Sequence, residues 1–162
     1  MEWLYAGVIL VILAFGLVVL VGPPYVPTLK AQTEAALDLL DLQPGQTLLE
    51  LGSGDGRVML AAAKRGWNVV GIELNPILVL YTLLVTWRYR KQVRIIWGNY
   101  FQVKWPDADA VFTFALPRFM TRLDGSIEAW RGKPLKMASF AFEVPGKRAV
   151  KRMEGVFLHE YK

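Results

Sequence analysis

Between Leu51 and Arg57 the chain places three glycines in five residues, Gly52-Ser53-Gly54-Asp55-Gly56, with Glu50 just ahead of them and Asp55 among them. Glycines this dense let a ligand lie against bare backbone, and a helix beginning behind them would add the positive end of its dipole. The two carboxylates select the ligand. A triphosphate would be repelled, whereas a molecule with a cationic centre and an amino group would be attracted. About twenty residues further on stands Glu73, at the spacing where nucleotide-binding α/β folds use an acidic side chain on ribose hydroxyls.

Two nucleotide motifs fail on this turn. The dinucleotide fingerprint G-x-G-x-x-G has its third glycine one residue later than Gly56, where this chain has Arg57. The phosphate loop requires G-K-[ST], which is absent. What stands is E-x-G-x-G-x-G, which resembles the first motif of class I S-adenosylmethionine-dependent methyltransferases.

The elements that must hold these residues follow from periodicity and punctuation. Thr47–Leu51 is a short apolar run after the turn Gln43-Pro44-Gly45-Gln46 and reads as a strand. Val58–Arg65 is helix-forming and closes at Gly66. Lys30–Leu42 predicts an amphipathic helix. Asn68–Leu74 predicts a second strand, and Asn75-Pro76 caps and opens a long helix to about Lys91. Val93–Trp97, Ala108–Leu116 and Leu135–Val144 predict three more strands, while 119–130 reads as short helical pieces broken near Gly125. Val150–Met153 and Val156–Tyr161 around Glu154-Gly155 predict a terminal hairpin. Five strands alternating with helices, then a hairpin, is the element order of an α/β Rossmann-like seven-stranded sheet, mostly parallel. A ligand there binds at the carboxyl ends of the strands, which is where Gly52–Gly56, Glu73, Asn99–Phe101 and Ala115–Pro117 fall.

The N-terminus is of another kind. Trp3–Gly22 is twenty residues without a charge, and the next charge is Lys30. At about 1.5 Å per residue the run spans about 30 Å, one bilayer core. The leader Met1-Glu2 lacks the basic region of a signal peptide, and no A-x-A-like cleavage site follows. The expected organisation is a single-pass membrane anchor at residues 1–22, a proline-rich connector at 23–29 and a methyltransferase domain at 30–162. The basic remainder, at a net charge of +5 for the whole chain, places that domain in the cytoplasm by the positive-inside rule. The absence of cysteine fits that compartment and removes thiolate chemistry. His159 is the only histidine; it is read as exposed or structural, and no metal site is expected. The run Trp87-Arg88-Tyr89-Arg90-Lys91 complements a helix end or meets acidic lipid headgroups; with no reader motif beside it, nucleic acid is not expected as a partner.

Further matches occur in order: Pro24-Tyr25-Val26-Pro27-Thr28, Leu51–Arg57, Ala61-Ala62-Ala63-Lys64, Gly71-Ile72-Glu73-Leu74-Asn75-Pro76 and Trp87-Arg88. Together they resemble the membrane-associated protein-lysine methyltransferases that modify the mitochondrial ATP synthase c-subunit and the adenine nucleotide translocase. The resemblance implies S-adenosyl-L-methionine as cofactor, and as partners a bilayer and a lysine-bearing membrane protein. It assigns the methionine part to Glu50 and to Gly52, Ser53, Gly54, Asp55 and Gly56, and the ribose to Glu73, with Leu74 and Asn75 beside it. Asn99 with Tyr100 would meet the adenine, with Phe101 beside them, and Ala115 would line the site. The proline connector itself reads either as a spacer or as a loop closing over the turn, with Tyr25 and Thr28 as contacts. Tyr25, Pro117 and Phe119 are the candidates for the substrate channel; no general base is identified. Two departures stand out. The family pattern D-[LF]-[WF] is replaced by Asn99-Tyr100-Phe101, and the connections after Pro117 are short. The competing readings are a methyltransferase acting on a quinone or lipid and a membrane-tethered binding module without catalysis.

Overall fold

The computed structural model describes Met1–Tyr5, Gly7, Ile9, Gly16 and residues 26–162. Among these residues the elements are α1 (Lys30–Leu40), β1 (Thr47–Leu51), α2 (Arg57–Lys64), β2 (Asn68–Glu73), α3 (Pro76–Val85), β3 (Val93–Trp97), β4 (Ala110–Thr113), α4 (Pro117–Trp130), β5 (Leu135–Phe140), β6 (Lys151–Met153) and β7 (Val156–Tyr161). The seven strands form one sheet in the order β3-β2-β1-β4-β5-β7-β6. β1 to β5 pair in parallel, and β7 runs antiparallel to both β5 and β6. This is the mixed sheet that the element order predicts.

Period-two alternation divides the sheet's side chains between two cores. Leu48, Val69, Phe112, Ala138 and Leu158 join the buried residues of α1 and α2. Leu49, Leu51, Ile72, Val111 and Met137 face the other way and pack with Met120, Leu123 and Ile127 of α4. The order of the strands puts the crossover point between β1 and β4, directly beyond the glycine turn.

Helix boundaries differ from the sequence expectation where local chemistry intervenes. The helix expected to reach Lys91 stops at Val85, because the hydroxyl of Thr86 donates to the Thr82 carbonyl at 2.7 Å and the chain tightens into a 3₁₀ turn over Trp87–Tyr89. The segment expected to break at Gly125 is instead one fourteen-residue helix. An internal glycine costs about 1 kcal/mol against alanine, and burial of Met120, Leu123 and Ile127 outweighs it. β4 and β5 are shorter than the apolar runs that announce them; β5 ends at Phe140, before Ala141 turns to a φ of 68°.

Among the described residues no helix is long and apolar enough to cross a membrane. Most of the apolar run expected to form the anchor lies outside those residues, as does Tyr25.

Candidate active site

The glycine turn joins the end of β1 to the start of α2, and each glycine has a different task. Gly52 sits at φ +79° with open space where a Cβ would project, so the surface over it is bare backbone. Gly56, at φ +75°, faces α3, and a Cβ there would lie 2.6 Å from Thr82 Cγ2. The third glycine is therefore a packing residue that lets α3 close on the turn. Thr82 completes the contact by donating its hydroxyl to the Gly54 carbonyl at 3.1 Å. Sequence reasoning did not select Thr82; its signal is a buried hydroxyl inside the otherwise apolar run Ile77–Val85.

The turn does not present the row of bare N–H groups expected from its glycines. Gly52 and Ser53 both donate to the Ile72 carbonyl, at 2.9 and 3.1 Å, and Gly56 donates to Ser53 at 3.0 Å. Gly54 donates to Glu73 Oε2 at 2.8 Å, and Arg57 to Asp55 Oδ1 at 3.2 Å. The β2 carbonyl and the Glu73 carboxylate thus hold the loop shut. What the turn offers a ligand is close approach and charge.

That charge is negative. Glu50 is buried beneath the turn, and burial, with Asp55 and Glu73 nearby, pushes its carboxyl well above the usual range. Its Oε2 has no hydrogen-bond partner. Glu73 is also raised by burial, although the N–H groups of Asn75 and Gly54 oppose the shift. Neither carboxylate forms an ion pair among the described residues, whereas Asp55 is bridged to Arg57 at 2.6 Å. Ser53 Oγ and Asn75 Nδ2 are buried without partners. A ligand bearing a cationic amino group and several polar atoms fits this set of two carboxylates, a hydroxyl and an amide.

The remaining predicted residues close around the same strand ends. Asn75 caps α3, its Oδ1 accepting from Ile77 N at 2.9 Å, and Leu74 offers its carbonyl to the Trp97 indole at 3.0 Å. After β3, Asn99 Oδ1 accepts from Phe101 N at 2.9 Å, so this side chain first shapes its own turn. Tyr100 and Phe101 stack at 4.5 Å between centroids, and Phe119 of α4 stands 6.1 Å from Phe101. Burial pushes the Tyr100 phenol up to about 12 against the opposing Arg122 guanidinium. Arg122 lies 4.1 Å from the Phe101 ring centroid and Arg118 lies 4.8 Å from that of Phe119. These two arginines were not singled out from the sequence, where nothing marks them. Ala115 is buried and Pro117 is exposed at the first position of α4. Thr28 is buried and its carbonyl accepts from Arg57 Nη1 at 3.1 Å, which brings the connector against the start of α2.

His159 lies apart, buried on β7, where its Nε2 accepts from Val144 N at 3.5 Å. Burial lowers its pKa. It is a structural residue rather than an exposed one. Among the described residues no cluster of metal-binding side chains occurs.

This geometry has known counterparts. A family model described as the ANTKMT methyltransferase domain matches residues 50–151, from Glu50 of β1 to the start of β6. The chain belongs to this family. A protein-lysine N-methyltransferase of Saccharolobus islandicus is 30% identical over 148 residues, covering 84% of this chain and 89% of the relative. The human lysine N-methyltransferase of the ATP synthase c-subunit is 35% identical over 107 residues, 65% of this chain and 46% of that protein. The mouse adenine nucleotide translocase lysine N-methyltransferase is 33% identical over 125 residues, 75% of this chain and 54% of the relative. The chain spans about half the length of the last two. Among solved structures, an RNA methyltransferase from Salinibacter ruber in complex with S-adenosyl-L-homocysteine superposes with a TM-score of 0.76 at 26% identity, over 84% of this chain and 92% of that one. The matched stretch contains the glycine turn, Glu73 and strands β2 to β5.

Proposed function

We propose that the protein is an S-adenosylmethionine-dependent N-methyltransferase that modifies a lysine of a membrane protein. The observation that carries this reading is the pair of buried carboxylates, Glu50 and Glu73, neither in an ion pair among the described residues, beside a turn whose first glycine is open to the outside. The named activities of the similar lysine methyltransferases support the choice of reaction. S-adenosylmethionine, when bound, supplies the methyl group from a sulfonium centre.

The chain's own residues then have limited tasks. Glu50 and the backbone of Gly52–Gly56 hold the amino-acid end of the cofactor, and Glu73 accepts from ribose hydroxyls while bracing the turn. Asn99 and Tyr100 flank the adenine. The acceptor amine must be neutral, in line with the methyl group and shielded from water. Tyr100, Phe101 and Phe119 supply an apolar wall that disfavours the ammonium form. Arg118 and Arg122, seated over those rings, add like-charge repulsion that lowers the lysine pKa further.

In this reading residues 1–22 form a single-pass anchor, 23–29 a connector, and 30–162 a cytoplasmic catalytic domain beside the bilayer. A connector of seven residues reaches at most about 25 Å when extended, so a target in the same membrane is met at raised effective concentration. The deciding experiment supplies labelled S-adenosylmethionine to membranes with and without the protein. Label recovered as methyl-lysine in integral proteins supports the proposal. Label confined to the lipid extract or to RNA replaces it.

A further inference from the structure

Helix α3 is apolar on every side: the sequence Pro76-Ile77-Leu78-Val79-Leu80-Tyr81-Thr82-Leu83-Leu84-Val85 holds one hydroxyl-bearing threonine, one tyrosine and no charge. A helix of that kind belongs in a core or a membrane. Yet within the protein only Leu78 and Thr82 are buried. Its outer face leaves Leu80 63%, Leu84 74% and Trp87 60% exposed, with Leu83 beside them. Trp97, 67% exposed, stands at the other end of α3, where its indole donates to the Leu74 carbonyl. Large apolar patches on a folded surface mark an interaction site.

The charges around the patch identify what it meets. From Leu74 to Pro106 there is no aspartate or glutamate, while Arg88, Arg90 and Lys91 follow the helix directly. None of these three forms an ion pair among the described residues. Arg90 lies 5.0 Å from the centre of the Trp87 ring, so a cation and an interfacial aromatic share one place. Apolar side chains, exposed tryptophans and a cationic border without acids are the composition of a helix lying in the headgroup layer of an anionic bilayer. An intramolecular apolar cover would have no use for the cations.

We infer that the outer face of α3, from Trp97 to Trp87 with Arg88, Arg90 and Lys91 at its border, rests on the surface of a membrane containing anionic lipid. This is a second lipid contact, separate from the N-terminal apolar run, and it deepens the membrane part of the proposed function. α3 begins three residues beyond Glu73, so a helix lying flat holds the mouth of the site at headgroup level. An acceptor lysine just outside the bilayer is then within reach.

The chain has no cysteine, so Leu84→Cys takes a single nitroxide label at an exposed position. Lys151→Cys, on the opposite edge of the sheet, serves as reference. Full-length protein is placed in vesicles of equal parts phosphatidylcholine and phosphatidylglycerol, without acceptor protein or cofactor. At Leu84 the ratio of collisions with oxygen to collisions with a water-soluble nickel chelate should rise several-fold above that at Lys151. It should fall when phosphatidylglycerol is omitted, or in a background of Arg88→Gln, Arg90→Gln and Lys91→Gln, with docking weakened about fivefold per cation. Four results would overturn the inference: nickel access unchanged by vesicles, equal lipid contact in phosphatidylcholine alone, shielding already complete without lipid, which assigns the cover to residues 3–22, or label–label broadening, which assigns it to a second copy. Binding of S-adenosylhomocysteine by the same labelled protein reports separately on the methyltransferase reading.

Discussion

The backbone N–H of Gly54 donates to Glu73 Oε2 at 2.8 Å, so the middle of the glycine turn is tied to the end of the neighbouring strand by a side chain. The other oxygen, Oε1, accepts from Asn75 N at 2.8 Å, at the cap of α3. One buried carboxylate thus fixes both the turn and the start of a helix.

Removing it should have two effects. Glu73→Ala leaves two N–H groups without their acceptor, each costing about 1–3 kcal/mol if it stays dry, and lowers the urea midpoint accordingly. Affinity for S-adenosylhomocysteine should fall by roughly 1.5–3 kcal/mol, the size of a hydrogen bond to a charged group. Glu73→Gln keeps one acceptor oxygen and should recover part of the stability but little of the binding. Calorimetry and urea titration of both variants check this.

Much of this arrangement was legible from residue order. Thr47–Leu51 and Val93–Trp97 appear as strands at the boundaries their apolar runs announce, and Glu73 falls where its spacing puts it. Local patterns failed where a distant partner decides. Gly125 reads as a breaker, yet the core under α4 keeps it helical. The glycines read as open N–H donors, yet Ile72 and Glu73, reached only through β2, already occupy them. Thr82 is invisible as a site residue until α3 folds onto Gly56.

Stability should depend on pH through Glu50 and Glu73. Both carboxyls are raised above 4.5 by burial, so over a window starting near that value the folded state keeps protons that the unfolded chain has released. Folding free energy therefore declines as pH rises from about 4.5 toward neutrality. Glu50→Gln, neutral at every pH, should flatten the slope and raise stability at neutral pH. A urea midpoint measured across the window tests the sign. Binding should run the other way, tightening as Glu50 ionises and losing that dependence in Glu50→Gln.

The two outer glycines should separate folding from binding. Gly56→Ala meets Thr82 at 2.6 Å in a left-handed backbone; the conformation should cost about 1–2 kcal/mol of stability and the overpacking about 1–3 kcal/mol more. Gly52→Ala has the same backbone penalty but no neighbour within 4 Å. It should fold with a loss of about 1–2 kcal/mol and lose cofactor affinity disproportionately. Equal ratios of binding loss to stability loss in the two variants would contradict the division of roles.

Asn99→Asp should tighten the cofactor by up to roughly 1 kcal/mol. The side-chain oxygen that accepts from Phe101 N is kept in the carboxylate, and the second oxygen replaces an amide donor with a charged acceptor for the adenine amine. Titration calorimetry with S-adenosylhomocysteine checks it. Unchanged or weaker affinity would place the adenine elsewhere.

The N-terminal run sets the last expectation. Twenty residues without a charge, Trp3–Gly22, are enough to cross a hydrocarbon core of about 30 Å, and surface contacts by α3 alone are salt-sensitive. Full-length protein should therefore stay with membranes through high salt and alkaline wash. A chain lacking residues 1–22 should still bind cofactor, but it should be released from vesicles by salt, because only the cations beside Trp87 then attract the headgroups. If full-length protein is also released by salt, the first contact is no more than the second, and residues 1–22 do not span the bilayer.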